Sequence, residues 1–162
     1  MTLAREMALE SEYVMGTFAR KPVEFVEGHG MTLIDDAGNE YLDFLSGIGV
    51  CSLGHCHPSI VQAVSDQAAK LIHVSNYYYI EHRGEVAQLL SNMLNAYVDE
   101  PSPETWKTFF ANSGAEANEC AIKLARLYAR RRTEAAGKDA ELAPRLIVTL
   151  AKSFHGRTLA TL

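Results

Sequence analysis

Little in this 162-residue sequence marks it for an oxidising compartment, a membrane or a polyanion. Its three cysteines, Cys51, Cys56 and Cys120, are a sparse and odd-numbered set, which excludes a disulfide framework and agrees with a reducing compartment. No apolar run approaches the roughly 20 residues of a membrane-spanning helix. The first residues, MTLAREMALESEYVMG, are acidic and contain no continuous apolar stretch of the signal-peptide kind, so a cytoplasmic protein is the default expectation. Positive charge is not in excess either: 15 Lys and Arg against 20 Asp and Glu leave a net charge of −5, which argues against general nucleic-acid or membrane-surface binding. His55, Cys56 and His57, with Cys51 nearby, cannot all turn toward one centre, and the pair-plus-distant-pair spacing of zinc sites is missing. Hence no metal is expected. Ser113 has no histidine placed to make it a hydrolytic nucleophile, and neither an internal repeat nor a low-complexity segment is present.

What is present is a globular composition, 48% hydrophobic and 22% charged, organised around residues 111–132, ANSGAEANECAIKLARLYARRR. Ala117, Ala121, Leu124, Ala125 and Tyr128 recur at helical spacing, leaving Glu116, Glu119, Lys123, Arg126 and Arg130 for a solvent face. Ser113 with Glu116 three residues on has the form of a capping box, and Arg130–Arg132 suit the negative end of a helix dipole. Residues 105–111, TWKTFFA, are rich in β-formers, so Asn112, Ser113 and Gly114 form a strand-to-helix turn. Such a turn points unpaired backbone N–H groups and a positive dipole end at any anion above it. Taken alone, it reads equally as a well-capped structural helix.

Earlier in the chain, residues 2–19 read as a helix with a loose apolar stripe, closed by Gly16 and Lys21–Pro22. Residues 23–44 read as a β-meander with turns at Gly28–Gly30 and Asp36–Asn39. Residues 45–58, LSGIGVCSLGHCHP, form a glycine-rich irregular segment. Pro58 then opens a helix carrying Ile60, Val61, Val64, Ala68 and Leu71 on one face. His73–Tyr79 is a polar aromatic stretch, 81–97 a further amphipathic helix, and 99–104 a loop. After the central helix, RLIVTL at 145–150 reads as a strand buried on both faces. A strand, a helix and a second buried strand make a βαβ unit, so the second half is expected to be α/β with a parallel sheet.

In a parallel sheet the carboxyl ends of the strands open on one side. The loop after Leu150, with Phe154, His155, Gly156 and Arg157, is therefore expected to share a crevice with the Ser113–Gly114–Ala115 turn. A flat ring and a guanidinium beside a phosphate cradle suit a planar phosphorylated cofactor and a carboxylate substrate.

Three stretches in this order, LDFLSGIGVCSLGHCHP at 42–58, NSGAEANECAIKLAR at 112–126 and SFHGRT at 153–158, resemble the class III pyridoxal-phosphate aminotransferases. Within that family the NSGAEAN form favours the acetylornithine branch over the 4-aminobutyrate and ornithine branches. The resemblance implies a fold-type-I architecture, α/β with a mainly parallel central sheet, in which residues 1–57 contribute to a small domain and 58–162 form the first part of the large cofactor-binding domain. It implies that Ser113, Gly114 and Ala115 hold the phosphate of pyridoxal 5'-phosphate, that Phe154 stacks on its ring, and that Arg157 takes a substrate carboxylate. Ile48 and Val50 would border the substrate, and His73–Tyr79 would lie near a homodimer interface. The implied reaction is transamination between N-acetylornithine and 2-oxoglutarate in arginine biosynthesis; ornithine, succinylornithine and 4-aminobutyrate are the alternative donors, and a phosphate-ligand binding domain without chemistry is the alternative class. The family's Schiff-base lysine has no counterpart in these 162 residues, since Lys152 does not occupy its motif. The expectation is an N-terminal part of the enzyme with no catalytic residue of its own.

Overall fold

A computed structural model describes residues 2–98 and 106–162; the expected loop at 99–104 and the first residue of the expected strand at 105–111 lie outside them. The chain divides into two compact units, Met1–Tyr79 and Ile80–Leu162.

The first unit begins with helix α1 (Leu3–Tyr13), whose Leu3 N–H donates to Asp36 Oδ2 at 2.9 Å. The expected meander is present as β1 (Phe25–His29), β2 (Thr32–Asp35) and β3 (Glu40–Leu42), antiparallel in the order β1-β2-β3. Its second turn is held by one carboxylate. Buried Asp35 accepts from Ala37 N–H at 3.0 Å, Asn39 N–H at 2.8 Å, Asn39 Nδ2 at 2.9 Å and Tyr41 Oη at 2.9 Å. The Asn39 amide does most to hold the Asp35 carboxyl below the usual range, and the Asp35 carboxylate in turn pushes the Tyr41 phenol up. Phe25 and Tyr41 pack edge to face across the sheet, centroids 5.4 Å apart.

The glycine-rich segment contains a single helical turn, α2 (Ser46–Gly49), wound left-handed. Ser46, Gly47, Ile48 and Gly49 have φ of 45°, 63°, 63° and 78°. Gly49 N–H and Val50 N–H donate to Leu45 and Ser46 carbonyls at 3.0 and 2.9 Å. The left-handed conformation costs a residue with a Cβ about 1–2 kcal/mol, so Ser46 and Ile48 are strained where the glycines are not. Behind the turn Gly30 and His55 form an isolated antiparallel bridge, with N···O distances of 3.0 and 2.7 Å. The backbones approach so closely there that a Cβ on Gly54 (φ 86°) would lie 2.8 Å from the Gly30 oxygen. Helix α3 (Pro58–Lys70) follows, opened by its proline as the sequence predicts.

In the second unit α4 (Arg83–Ala96) anchors the residues that follow it. Trp106 N–H donates to Ser91 Oγ at 3.2 Å, and Trp106 Nε1 to Asn95 Oδ1 at 2.8 Å. Helix α5 (Gly114–Ala135) runs three residues beyond the Arg130–Arg132 cluster, into the segment expected to be an exposed loop. It stops where Gly137 takes φ 71° and Lys138 N–H reaches back to the Thr133 carbonyl at 3.1 Å. A 3-10 turn at Ala140–Leu142 completes the connection.

The expected parallel sheet is not formed. Among the described residues the sheet is the three-stranded antiparallel meander, and neither 106–111 nor 145–150 pairs as a strand. The reason is physical: a strand exists only through a neighbour's hydrogen bonds, and these segments find none. Leu146, Val148 and Leu150 are more than four-fifths exposed. The space between α5 and residues 147–155 is a cavity of about 810 Å³ rather than a packed core. No apolar side chain among the described residues is fully buried. The accessible surface is 14326 Å², against about 8,000 Å² for a compact monomer of this mass. Among the described residues no helix is long and apolar enough to cross a membrane.

Candidate functional site

The strand-to-helix turn at the head of α5 is built as its residues dictate. Ser113 is the extended N-cap, and its Oγ accepts the Glu116 N–H at 3.2 Å. The reciprocal half of the capping box is displaced by one residue: Glu116 Oε2 accepts from Asn112 N–H, at 2.7 Å, instead of from the cap residue itself. The first intrahelical bond runs from Ala117 N–H to the Ser113 carbonyl at 3.0 Å. Gly114 N–H and Ala115 N–H are thereby left with no acceptor among the described residues. A Cβ on Gly114 would meet nothing within 4 Å. Two unaccepted donors at a helix N-terminus, beside a residue without a side chain, are the elements of an anion cup.

The loop that carries Phe154 and Arg157 is docked on this turn. Gly156, at φ 132°, approaches so closely that an added Cβ would lie 2.5 Å from Ala115 Cβ and 2.9 Å from Ala115 Cα. Asn118 Nδ2 donates to the His155 carbonyl at 2.7 Å. Glu119 Oε1 accepts from Thr158 Oγ1 at 2.6 Å and from Ala160 N–H at 3.3 Å. The Thr158 hydroxyl chiefly, then the Ala160 N–H, holds the Glu119 carboxyl below its ordinary value. The expected crevice, in which loop and turn come together, is thus present in the second unit. It is assembled by helix α5 and not by two parallel strands.

This arrangement corrects the reading of α5. Periodicity puts Ala117, Ala121, Leu124, Ala125 and Tyr128 on the inner face and Glu119 in solvent. In the structure the apolar stripe is exposed, and Ala115, Asn118, Glu119 and Ile122 are the half-buried positions. Nothing among the described residues packs on the apolar stripe, whereas the polar face meets a loop whose backbone needs donors and acceptors. Asn118 is the signal that sequence reasoning passed over, because a short amide in mid-helix is there for its hydrogen bond more often than for its helix propensity.

Phe154 is 75% exposed, with the Arg157 guanidinium carbon 5.6 Å from its ring centroid. A broad ring, a guanidinium and an anion cup thus lie on one helix end and its docked loop, able to receive a flat phosphorylated molecule and a carboxylate. The residues present fit pyridoxal phosphate on those grounds: open donors, no Cβ at Gly114, and an exposed ring. Ile48 and Val50 belong to the first unit, where they are 84% and 78% exposed on and just after the left-handed turn. Tyr77, Tyr78 and Tyr79 are all exposed as well.

The sequence profile of the family Aminotransferase class-III matches residues 17–162. The acetylornithine aminotransferase of Nitrosomonas europaea is 49% identical over 150 residues, covering 93% of this chain and 34% of that protein. The crystal structure of acetylornithine aminotransferase from Elizabethkingia anophelis superposes with a TM-score of 0.69 at 31% identity, covering 86% of this chain and 33% of the other. Ornithine aminotransferase from Toxoplasma gondii, described with partial occupancy of PLP at its active site, gives a TM-score of 0.71 at 32% identity, covering 82% and 29%. The chain therefore spans about a third of the length of the relatives it matches. Its docked anion-cup helix and the family profile that runs through it lead to one conclusion: this chain belongs to the class-III aminotransferases.

Proposed function

We propose that this chain supplies the cofactor-phosphate and substrate-carboxylate side of a cytoplasmic, homodimeric transaminase that moves the amino group of N-acetylornithine to 2-oxoglutarate in arginine biosynthesis. The observation that carries the reading is the docking of the Phe154–Arg157 loop on the open first turn of α5. Gly114 and Ala115 donate their N–H groups to the phosphate, and Ser113 keeps the turn in place. Phe154 covers the cofactor ring, and Arg157 pairs with a substrate carboxylate. Ile48 and Val50 border the substrate, and His73–Tyr79 stands near the dimer interface. Pyridoxal phosphate, when bound, supplies the electron sink that amino-group transfer requires. The names of the relatives support N-acetylornithine as donor. The likeness to ornithine aminotransferase structures favours ornithine as the second reading.

On this reading residues 1–57 belong to the small domain and 58–162 to the large one, and the lysine that carries the cofactor lies outside the chain. Uncovered apolar surface and a length of one third of the relatives support that part of the proposal. The coding sequence read past Leu162 is expected to continue, and its product to transfer amino groups to 2-oxoglutarate from N-acetylornithine faster than from ornithine. Absence of transfer from either donor by folded, cofactor-saturated protein would overturn the transaminase reading; a preference for ornithine would replace the first donor by the second. Borohydride treatment of the 162-residue chain with pyridoxal phosphate is expected to leave Lys152 unmodified, and a stoichiometric Lys152 adduct accompanied by turnover would sink the partial-chain reading.

A further inference from the structure

The left-handed turn α2 holds a β-branched residue, Ile48, in the backbone region such residues tolerate least. Burial does not offset the strain, because the Ile48 and Val50 side chains both stand in the open. A strained backbone persists only where its surroundings over-determine it, and here they centre on one carboxylate. Asp43 Oδ1 accepts from the N–H groups of Leu45 and Ser46, each at 2.8 Å, at the entry to the turn. Asp43 Oδ2 meets His55 Nε2 at 2.7 Å, and the Asp43 side chain is only 8% exposed. His55 is itself fixed by its backbone bridge to Gly30, between β1 and β2. Asp43 thus ties a strained turn to the sheet through a residue twelve positions away.

We propose that Asp43 and His55 are positioning residues that hold Ser46–Gly49 left-handed, so that Ile48 and Val50 form a rigid apolar wall against the aliphatic stem of the amino-acid substrate. The substrate half of this inference rests on the transaminase reading; the clamp itself does not. A fixed wall discriminates by chain length, since one methylene in an apolar pocket changes selectivity by about tenfold or more, and a wall that moves loses that discrimination.

The test uses the full-length, cofactor-loaded protein and two readouts. In Asp43→Ala, exchange of the Leu45, Ser46 and Val50 amides is expected to accelerate at least about tenfold while the amides of β2 keep their protection. The KM for the amino substrate is expected to rise about tenfold with kcat within about twofold, the signature of lost positioning at the substrate. Asp43→Asn keeps a carbonyl for the same two N–H groups and is expected to restore both readouts. His55→Ala is expected to give the same pattern at smaller amplitude. Equal acceleration throughout the meander, an unchanged KM beside a loosened turn, or no rescue by Asn would overturn the inference. Absence of amino transfer by the wild-type protein with a normal exchange contrast would overturn the transaminase reading and leave the clamp standing. A missing contrast with normal transfer would overturn the clamp alone.

Discussion

Replacing Gly156 by Ala tests whether the cup and the loop act as one site. The new Cβ would sit 2.5 Å from Ala115 Cβ and 2.7 Å from Thr161 Oγ1, and φ 132° disfavours any side chain there. Carbon atoms in contact settle at about 3.5–4.0 Å, so the loop must withdraw from α5 by about 1 Å. The Asn118–His155 hydrogen bond, 2.7 Å long, does not survive such a shift within normal bonding distance. Overpacking of this kind costs about 1–3 kcal/mol, concentrated here on a loop held mainly by Asn118, Glu119 and Thr161. A displacement of that size at positioned groups weakens function by up to about a hundredfold. The expected result in the full-length protein is a pyridoxal-phosphate Kd raised about ten- to a hundredfold, read by the quenching of protein fluorescence. The Thr158 and Ala160 amides should exchange faster, and the amides in the middle of α5 should not change. Wild-type affinity in Gly156→Ala, with Thr158 and Ala160 still protected, would refute the idea that the docked loop shapes the cofactor site.

The complementary substitution is Gly114→Ala, whose Cβ meets no protein atom within 4 Å. Helix stability should be unchanged or raised by up to about 1 kcal/mol, while pyridoxal-phosphate affinity falls; equal affinity would remove the phosphate from this turn. Ser113→Ala should lower stability by about 1 kcal/mol through loss of the cap, whereas Ser113→Asp should keep the helix and weaken cofactor binding at least about tenfold by charge repulsion. Thermal melts and titrations separate the two. Asp35, Asp43 and Glu119 all have carboxyl pKa values lowered by the hydrogen bonds they accept, led by those from Asn39, His55 and Thr158 respectively. Groups with depressed values stabilise the folded form above their unfolded pKa and lose that contribution as pH falls through the folded one. Protection of the Leu45, Ser46 and Asn39 amides should therefore hold in mild acid and collapse only below pH 3.8. Loss of protection above that value would refute the assignment of these carboxylates.

What was legible in the sequence was whatever short-range chemistry decides. The meander follows from β-formers punctuated by Gly30 and by Asp36–Asn39, and α3 and α5 follow from Pro58 and Ser113 beside 3.6-residue periods. The parallel sheet was not obtained, because TWKTFFA and RLIVTL state a preference for extended backbone but do not carry the partner that makes a strand. The left-handed turn was half legible: Gly47, Gly49 and Gly54 announced unusual backbone, but nothing local says that Ser46 and Ile48 adopt it too. Asn118 and Glu119 were hidden for a different reason. Periodicity ranks helix faces by apolarity, and the face of α5 that does the docking is the polar one.

That polar face also resolves a conflict at the head of α5. An anion cup is poorly served by acidic neighbours, yet Glu116 lies in the first turn and Glu119 in the next. Both carboxylates are committed elsewhere: Glu116 to the Asn112 N–H, Glu119 to Thr158 and Ala160. The remaining first-turn donors, Gly114 and Ala115, are the two that no side chain takes. Each glutamate thus serves the cup indirectly, one by shaping the turn before the cap and the other by holding the loop against it. Their negative charge is compensated by donors on the protein and not by those an incoming phosphate needs. The helix dipole, favourable to all three anions, then leaves its one unclaimed position at the residue that lacks a side chain.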